Sequence, residues 1–370
     1  MKMKTTKTTS NTARRMHALA LLGLGLGQTA ALAQTPDNAN PNVTLYGLVD
    51  AGLTWISNAQ GSSSAIVDTG VMQSNRVGLR GTEALGNGWQ VQFQLENGLN
   101  LHNGTARQGG RLFGRSAWVG LASGTYGSLR FGRQYEFFVD TLQGYINASG
   151  SAGGYGHNPL NNDRMAGARS DNAVKYTSPN MDGLRLGALY AFNGPPGSAG
   201  NRTRSLGANY TSGNFATGVA WTEIENASLN IAPLTGSNTP QLIGGRKLRE
   251  WGVGARYKFP SFTLHGLYSQ AMYLAHAAAN QTFRNIQAGV AHNWRPDISV
   301  GAAYGLTLRG SHKHHQLSLT LDHVLSKRTD VYAQTVIQHA EGAGATAAIN
   351  SVASSSPNQS VYRVGMRHKF

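Results

Sequence analysis

Apolar and polar residues alternate one for one over long stretches of this chain. Between positions 43 and 55, Val43, Leu45, Val49, Ala51, Leu53 and Trp55 share one parity, and Thr44, Tyr46, Asp50, Gly52 and Thr54 share the other. Side chains alternate faces along a strand, so the pattern predicts a strand with one apolar and one polar face. The rhythm returns at 74–81, 89–99, 112–122 and 128–135, with Leu85-Gly86-Asn87-Gly88 as a turn of the Asn-Gly hairpin type. Within the third segment Gln90, Gln92, Gln94 and Glu96 stand in register opposite Val91, Phe93 and Leu95. That polar row is costly in a dry core and comfortable against water.

The alternation stops between 136 and 171, a stretch long enough to be either a functional loop or a disordered one. It resumes at 173–178, 184–192, 205–211 and 215–224, pauses over a longer loop at 225–247, and continues at 248–259, 262–273, 283–294, 299–308, 316–325 and 330–338. The last ten residues close the series, with Tyr362, Val364, Met366 and Phe370 on one parity and Arg363, Arg367 and Lys369 on the other. About sixteen strands result, with tight turns alternating with longer loops. An even number of such segments, each about ten residues long, predicts an all-β fold: a 16-stranded antiparallel transmembrane β-barrel, apolar outside and wet inside. Trp55, Trp89, Trp251, Phe259, Trp294 and Phe370 lie near strand ends, as interfacial girdles require.

Composition agrees with that reading. The 370 residues include 47 Gly, no Cys and only 13% charged residues, and a mean hydropathy of −0.31 excludes a protein built from long apolar helices. Lys2, Lys4, Lys7, Arg14 and Arg15 precede an apolar run and Ala31-Leu32-Ala33, which together predict a secretory signal over 1–33 and a barrel over 34–370. Without that segment 27 Lys and Arg stand against 17 Asp and Glu, so the mature chain stays basic. The basic residues are spread one or two per strand and form no patch interleaved with aromatics, which argues against a nucleic-acid binder. No Gly-x-Ser-x-Gly or His-Glu-x-x-His occurs to carry an enzyme. His312-Lys313-His314-His315 is read as a solvated loop tip and not as a metal site, and no cofactor is expected.

Several segments then resemble, in order, the trimeric Gram-negative outer-membrane porins of β-proteobacterial type. They are Val43-Thr44-Leu45-Tyr46-Gly47, Ser74-Asn75-Arg76-Val77-Gly78-Leu79-Arg80-Gly81, Trp118-Val119-Gly120-Leu121, Gly132-Arg133-Gln134, Asn172-Ala173-Val174-Lys175-Tyr176 and the terminal Phe370. The resemblance implies a homotrimer in the outer membrane, in contact with its lipid and lipopolysaccharide. It also implies a third loop, 136–171, folded into the lumen with acidic residues facing a basic wall. Carried over by motif, the pore constriction comprises Arg76, Arg115, Arg133 and Arg169 on the wall, with Asp140 and Asp163 on the loop. The Pro-Glu-Phe-Gly-Gly loop tip of enterobacterial relatives is missing. Parity directs Arg76 to water, but it places Arg133 with Leu129 and Phe131, which face lipid. A basic side chain there costs about 2–4 kcal/mol at mid-depth, so a bulge at Gly132 is expected to turn Arg133 inward. The implied function is passive diffusion of ions and small hydrophilic solutes, with anions preferred, the alternatives being a barrel enzyme or a substrate-specific channel.

Overall fold

The structure is a computed structural model that describes residues 42–146, 153–157, 164–165, 167–194, 202–230, 232, 241–276, 279–350 and 352–370. The expected signal segment 1–33 lies outside the described residues, as does Asp163. The first strands are β1 (Asn42–Ala59), β2 (Ser62–Thr69), β3 (Arg76–Gly86), β4 (Trp89–Gly98), β5 (Ser116–Ser123), β6 (Gly127–Tyr135), β7 (Arg169–Thr177), β8 (Leu184–Ala191), β9 (Thr203–Ser212) and β10 (Phe215–Glu225). After them come β11 (Ser228–Asn230), β12 (Leu242–Lys258), β13 (Phe262–Ala275), β14 (Gln281–Arg295), β15 (Ile298–Arg309), β16 (His312–Val324), β17 (Thr329–Glu341), β18 (Ala348–Ile349), β19 (Val352–Ala353) and β20 (Asn358–Lys369).

Neighbours pair antiparallel throughout. β2 and β3 run along the two ends of β1 and form one interrupted barrel strand, β11 prolongs β10 along β12, and β18 with β19 makes a separate small hairpin. β20 pairs with both β17 and β1 and closes a barrel of sixteen strands. Phe370 donates its N–H to the Gly47 carbonyl at 3.1 Å and accepts from the Gly47 N–H at 3.0 Å. A Cβ at Gly47 would stand 2.2 Å from the Phe370 ring, so the final aromatic and a glycine fit together at the seam.

Burial is inverted relative to a water-soluble domain. Leu45 and Leu53 are each 62% exposed and Val364 58%, while Asp50, Ser205, Glu250 and Asn285 are fully buried. Paired aromatics flank the apolar outer band: Trp89 stacks on Tyr126 and Phe259 on Phe262 near the short-turn rim, and Trp55 meets Tyr362 and Trp251 meets Tyr268 toward the other. Among the described residues no helix is long and apolar enough to cross a membrane.

Several boundaries differ from the sequence expectation, β16 starting at His312 and β7 at Arg169 among them, and three have an evident local cause. The Gly/Ser stretch after Trp55 is not a loop: Ser62–Thr69 zips onto β1 around the turn Gln60-Gly61, whose positive φ values of 60° and 101° make the hairpin. The strand expected from 112 begins at Ser116, because Gln108, Gly109 and Gly110 all adopt positive φ and turn the chain away. The loop expected at 225–247 gives up its last part to β12, which starts at Leu242 and pairs with β11. The Asn87-Gly88 turn is as expected, with φ of 52° and 75°.

Candidate functional site: a constricted lumen

Between β6 and β7 the chain enters the barrel. It opens with a helix, Phe137–Ile146, whose Phe137, Phe138, Leu142, Tyr145 and Ile146 are buried against β8, β9, β10, β12 and β13. The wall makes room by omitting side chains. A Cβ at Gly187 would lie 2.0 Å from the Phe137 ring, one at Gly207 2.7 Å from Thr141, one at Gly252 2.8 Å from Leu142 and one at Gly254 2.5 Å from Tyr145. These inward glycines form a smooth track on which the helix lies. Its start is fixed by Ser205, whose hydroxyl accepts the Phe137 N–H at 3.0 Å, and by Lys175, which bonds both Asp140 and the Tyr135 carbonyl. Asp140 in the first turn also suits the positive end of the helix dipole.

Further along, Gly153–Gly156 reaches the far wall. Tyr155 is buried with Ile56, Val71, Val336, Ile349 and Val361, donates its hydroxyl to Asp68, and receives a hydrogen bond at its carbonyl from Gln316 at 3.1 Å. The loop therefore spans the lumen from the β8–β13 side to the β16–β1 side. A second segment meets it there: residues 70–75, which interrupt β2 and β3, turn inward, and the Val71 carbonyl accepts the Gly154 N–H at 2.7 Å. Asp50 holds that excursion by accepting from the Val71 and Gln73 N–H groups at 3.2 and 3.3 Å, while Asn75 accepts the Asp50 N–H at 2.6 Å. On the return, Arg164 bridges Glu136 at 2.9 Å and Glu250 at 2.8 Å, and Met165 packs beside Leu142 and Ile146.

His157 sits at the loop's far anchor, and burial pushes its imidazole down to about 4, with the Gly153 and Gly154 backbone opposing the shift. The docked loop accepts the neutral ring, whereas a released ring takes up a proton below its ordinary 6.5. The released state then binds more protons, so docking is complete above that value and weakens as pH falls toward 4. Open-channel current noise is expected to rise across that interval and to stay flat in His157→Gln. Equal noise in both proteins at pH 4.5 would refute the link.

Opposite the helix, the β3–β7 arc carries the wall cations. Arg115 donates to Glu96 at 2.6 Å and to the Tyr135 hydroxyl at 2.7 Å; Arg169 donates to the same hydroxyl at 2.5 Å and lies over the Tyr135 ring; Arg76 donates to the Ser74 carbonyl at 3.0 Å. Glu96 also accepts from Tyr46 at 2.9 Å. Arg115 stands within electrostatic reach of both Arg76 and Arg169, so three of the four arginines named from sequence gather around it. Arg133 joins them at the edge. The ladder shifts register between Gly132, at φ 126°, and Gln134, so the bulge is present, and Arg133 turns to the Gly114 carbonyl at 2.7 Å and to Asp171 at 2.5 Å.

The acidic side differs from expectation. Asp140 faces Lys175 and not the arginine group, because the helix start lies nearer β7 than β3. The carboxylates amid the arginines are Glu96 on β4 and Asp171 on β7, both supplied by the wall itself. Sequence reasoning also missed Arg130, stacked 4.2 Å over Trp118, and Arg80, 5.1 Å over Tyr46; their parity on β6 and β3 was the available signal. Conversely, the basic face of β20 is largely neutralised. Arg363 is bound by Asp50, Asp68 and Thr54, and Arg367 by Asp330 at 2.8 Å. The His312–His315 stretch, expected as a solvated loop tip, is instead the start of β16, with His314 buried: His312 and His314 turn to the Ala343 and Thr346 carbonyls, and His315 turns the other way to Tyr304 and Glu341.

A closed, lipid-faced barrel with a polar lumen narrowed by an inward loop defines a membrane channel of the outer-membrane type. The chain belongs to the Gram-negative porin family, whose model matches residues 18–342. It is 33% identical over 258 residues to an outer membrane porin protein of Bordetella pertussis, covering 63% of this chain and 64% of that one, just under two-thirds of the relative's length. It is 29% identical over 381 residues to outer membrane porin protein 32 of Delftia acidovorans, covering 95% and 98% of the two chains. Among solved structures, an anion-selective porin from Comamonas acidovorans superposes with a TM-score of 0.72 at 24% identity, over 90% of this chain and all of that one.

Proposed function

We propose that this porin passes ions and small hydrophilic solutes by passive diffusion and prefers anions, with Arg76, Arg115, Arg133 and Arg169 setting the preference. The observation that carries the reading is charge on the β3–β7 arc: Arg76, Arg80, Arg115, Arg130, Arg133, Arg169 and Lys175 stand against Glu96, Asp140 and Asp171. A lumen with low-dielectric walls concentrates the counter-ion of the sign it lacks. Glu96 neutralises part of the charge but also ties Arg115 into one rotamer, so the positive groups stay fixed while ions pass. Homotrimers are the proposed assembly, and outer-membrane lipid and lipopolysaccharide the surroundings of the apolar wall.

Reversal potentials across a planar bilayer in a salt gradient test the selectivity. The wild-type potential is expected to show anion preference, and Arg76→Ser to lower the anion-to-cation permeability ratio by about twofold, since lumen residues tune selectivity. Cation preference in the wild type would overturn the reading, and an unchanged ratio in the variant would remove Arg76 from it.

A further inference from the structure

On the short-turn side of Glu96 the lumen wall carries two aromatic rings, each with a guanidinium over it. Arg130 on β6 lies 4.2 Å over the Trp118 ring on β5, and Arg80 on β3 lies 5.1 Å over the Tyr46 ring on β1. Gln94 ties the rings into one surface: its side chain donates to the Tyr46 hydroxyl at 2.6 Å and accepts the Trp118 indole N–H at 3.2 Å. The cross-strand register sets Arg80, Gln94 and Trp118 in one row, with Tyr46 a step above and Arg130 a step below, all on the inward parity. Two glycines clear the wall for this arrangement. A Cβ at Gly78 would stand 2.8 Å from the Tyr46 ring, and one at Gly120 2.9 Å from the Arg130 side chain.

Arg130 is poorly matched by the protein itself. Among the described residues its Nε is buried without a hydrogen-bond partner, and Asp140, which lies within its electrostatic reach, is bound to Lys175. A guanidinium stacked on a ring still presents its N–H edge, and that edge pairs with a carboxylate through two parallel hydrogen bonds. A carboxylate held so lies in the guanidinium plane, at stacking height above the wall. If its own ring is coplanar with it, that ring comes to rest on the Trp118, Gln94 and Tyr46 surface. A halide uses the charge alone, a puckered acid cannot lie at that height, and a sugar needs the bare ring faces that the guanidinia cover.

We propose that this surface is a subsite for planar aromatic carboxylates, separate from the Arg76, Arg115 and Arg169 group. The inference rests on the anion-passing reading of the lumen and adds to it a preference among anions. The test reads block of the chloride current through single channels of the folded full-length protein, with benzoate and cyclohexanecarboxylate as probes of equal charge and similar size. In the wild type benzoate is expected to reach half-block at about a fifth of the concentration that cyclohexanecarboxylate needs, the margin a stacked ring supplies. Trp118→Leu and Arg130→Lys, the latter keeping the charge and losing the plane, are each expected to bring the two probes level. Arg130→Lys carries the test should Trp118→Leu fail to fold. Arg76→Ser, outside the surface, is expected to shift both probes alike and keep their ratio. Equal block by the two probes in the wild type, a ratio that survives Arg130→Lys, or half-block by methyl glucoside at the benzoate concentration would each overturn the proposal. Failure of the underlying reading shows separately, as cation preference in salt-gradient reversal potentials without either probe, whereas equal block in a channel that prefers anions removes this inference alone.

Discussion

Gly187→Leu combined with Gly207→Leu is expected to reduce single-channel conductance by about half or more, because a close-packed contact has no void to absorb two new side chains. At Gly187 even a Cβ falls 2.0 Å from the Phe137 ring, and at Gly207 it meets Phe137 at 2.8 Å as well as Thr141 at 2.7 Å. The wall cannot retreat, since β8 and β9 are locked to each other and to β10 by continuous ladders. The helix is the part that moves, and it moves into the water path. The ladder itself tolerates leucine in either strand, so the barrel should still form and migrate as folded material in unheated electrophoresis. Wild-type conductance from a folded double variant would show that the glycine track does not position the helix. Gly124→Ala, at a turn with no neighbour within 4 Å and no positive φ, serves as the comparison and is expected to leave conductance unchanged.

That track also marks the limit of what the sequence discloses. Strand number and the facing of Arg76 follow from a two-residue period, which is a local property and needs no knowledge of neighbours. Gly187, Gly207, Gly252 and Gly254 carry no such message. Each lies on a strand like many other glycines here, and only the closed sheet lines them up under one helix. Arg164 and Glu250 are separated by 86 residues, so their pairing depends on where the loop lands. Asp140 misses the arginines for the same reason. Motif order names a loop acid, but the helix start sits over Lys175, leaving Glu96, visible in sequence only as one more polar residue of β4, to occupy the arginine group. Arg363 and Arg367 make the converse point: their parity was legible, yet Asp50, Asp68 and Asp330 come from distant or adjoining strands and cancel them.

Arg164→Met is expected to release the inward loop, with a larger effect than removing either of its partners. Glu136 and Glu250 are 2% and 0% exposed, and both lean on this guanidinium. Burial disfavours the charge on Arg164, but Glu250 and Glu136 reverse that and hold its pKa above the ordinary value. Removing one member of a buried charge network leaves the others uncompensated, at a cost of about 3–5 kcal/mol. The barrel ladders do not depend on that network, so the cost falls on loop docking. Higher and noisier conductance should follow, together with new protease cleavage within residues 136–168 of a barrel that is otherwise intact. Glu250→Gln should do less, because Glu136 still pairs with the arginine and an amide still accepts a hydrogen bond. The decisive comparison adds Glu136→Gln and Glu250→Gln to Arg164→Met. If uncompensated charge is the cause, the triple variant regains most of the quiet, protease-resistant behaviour, since neutral amides demand no counter-ion. A triple variant as open as the single one would instead assign the latch to the shape of the arginine side chain.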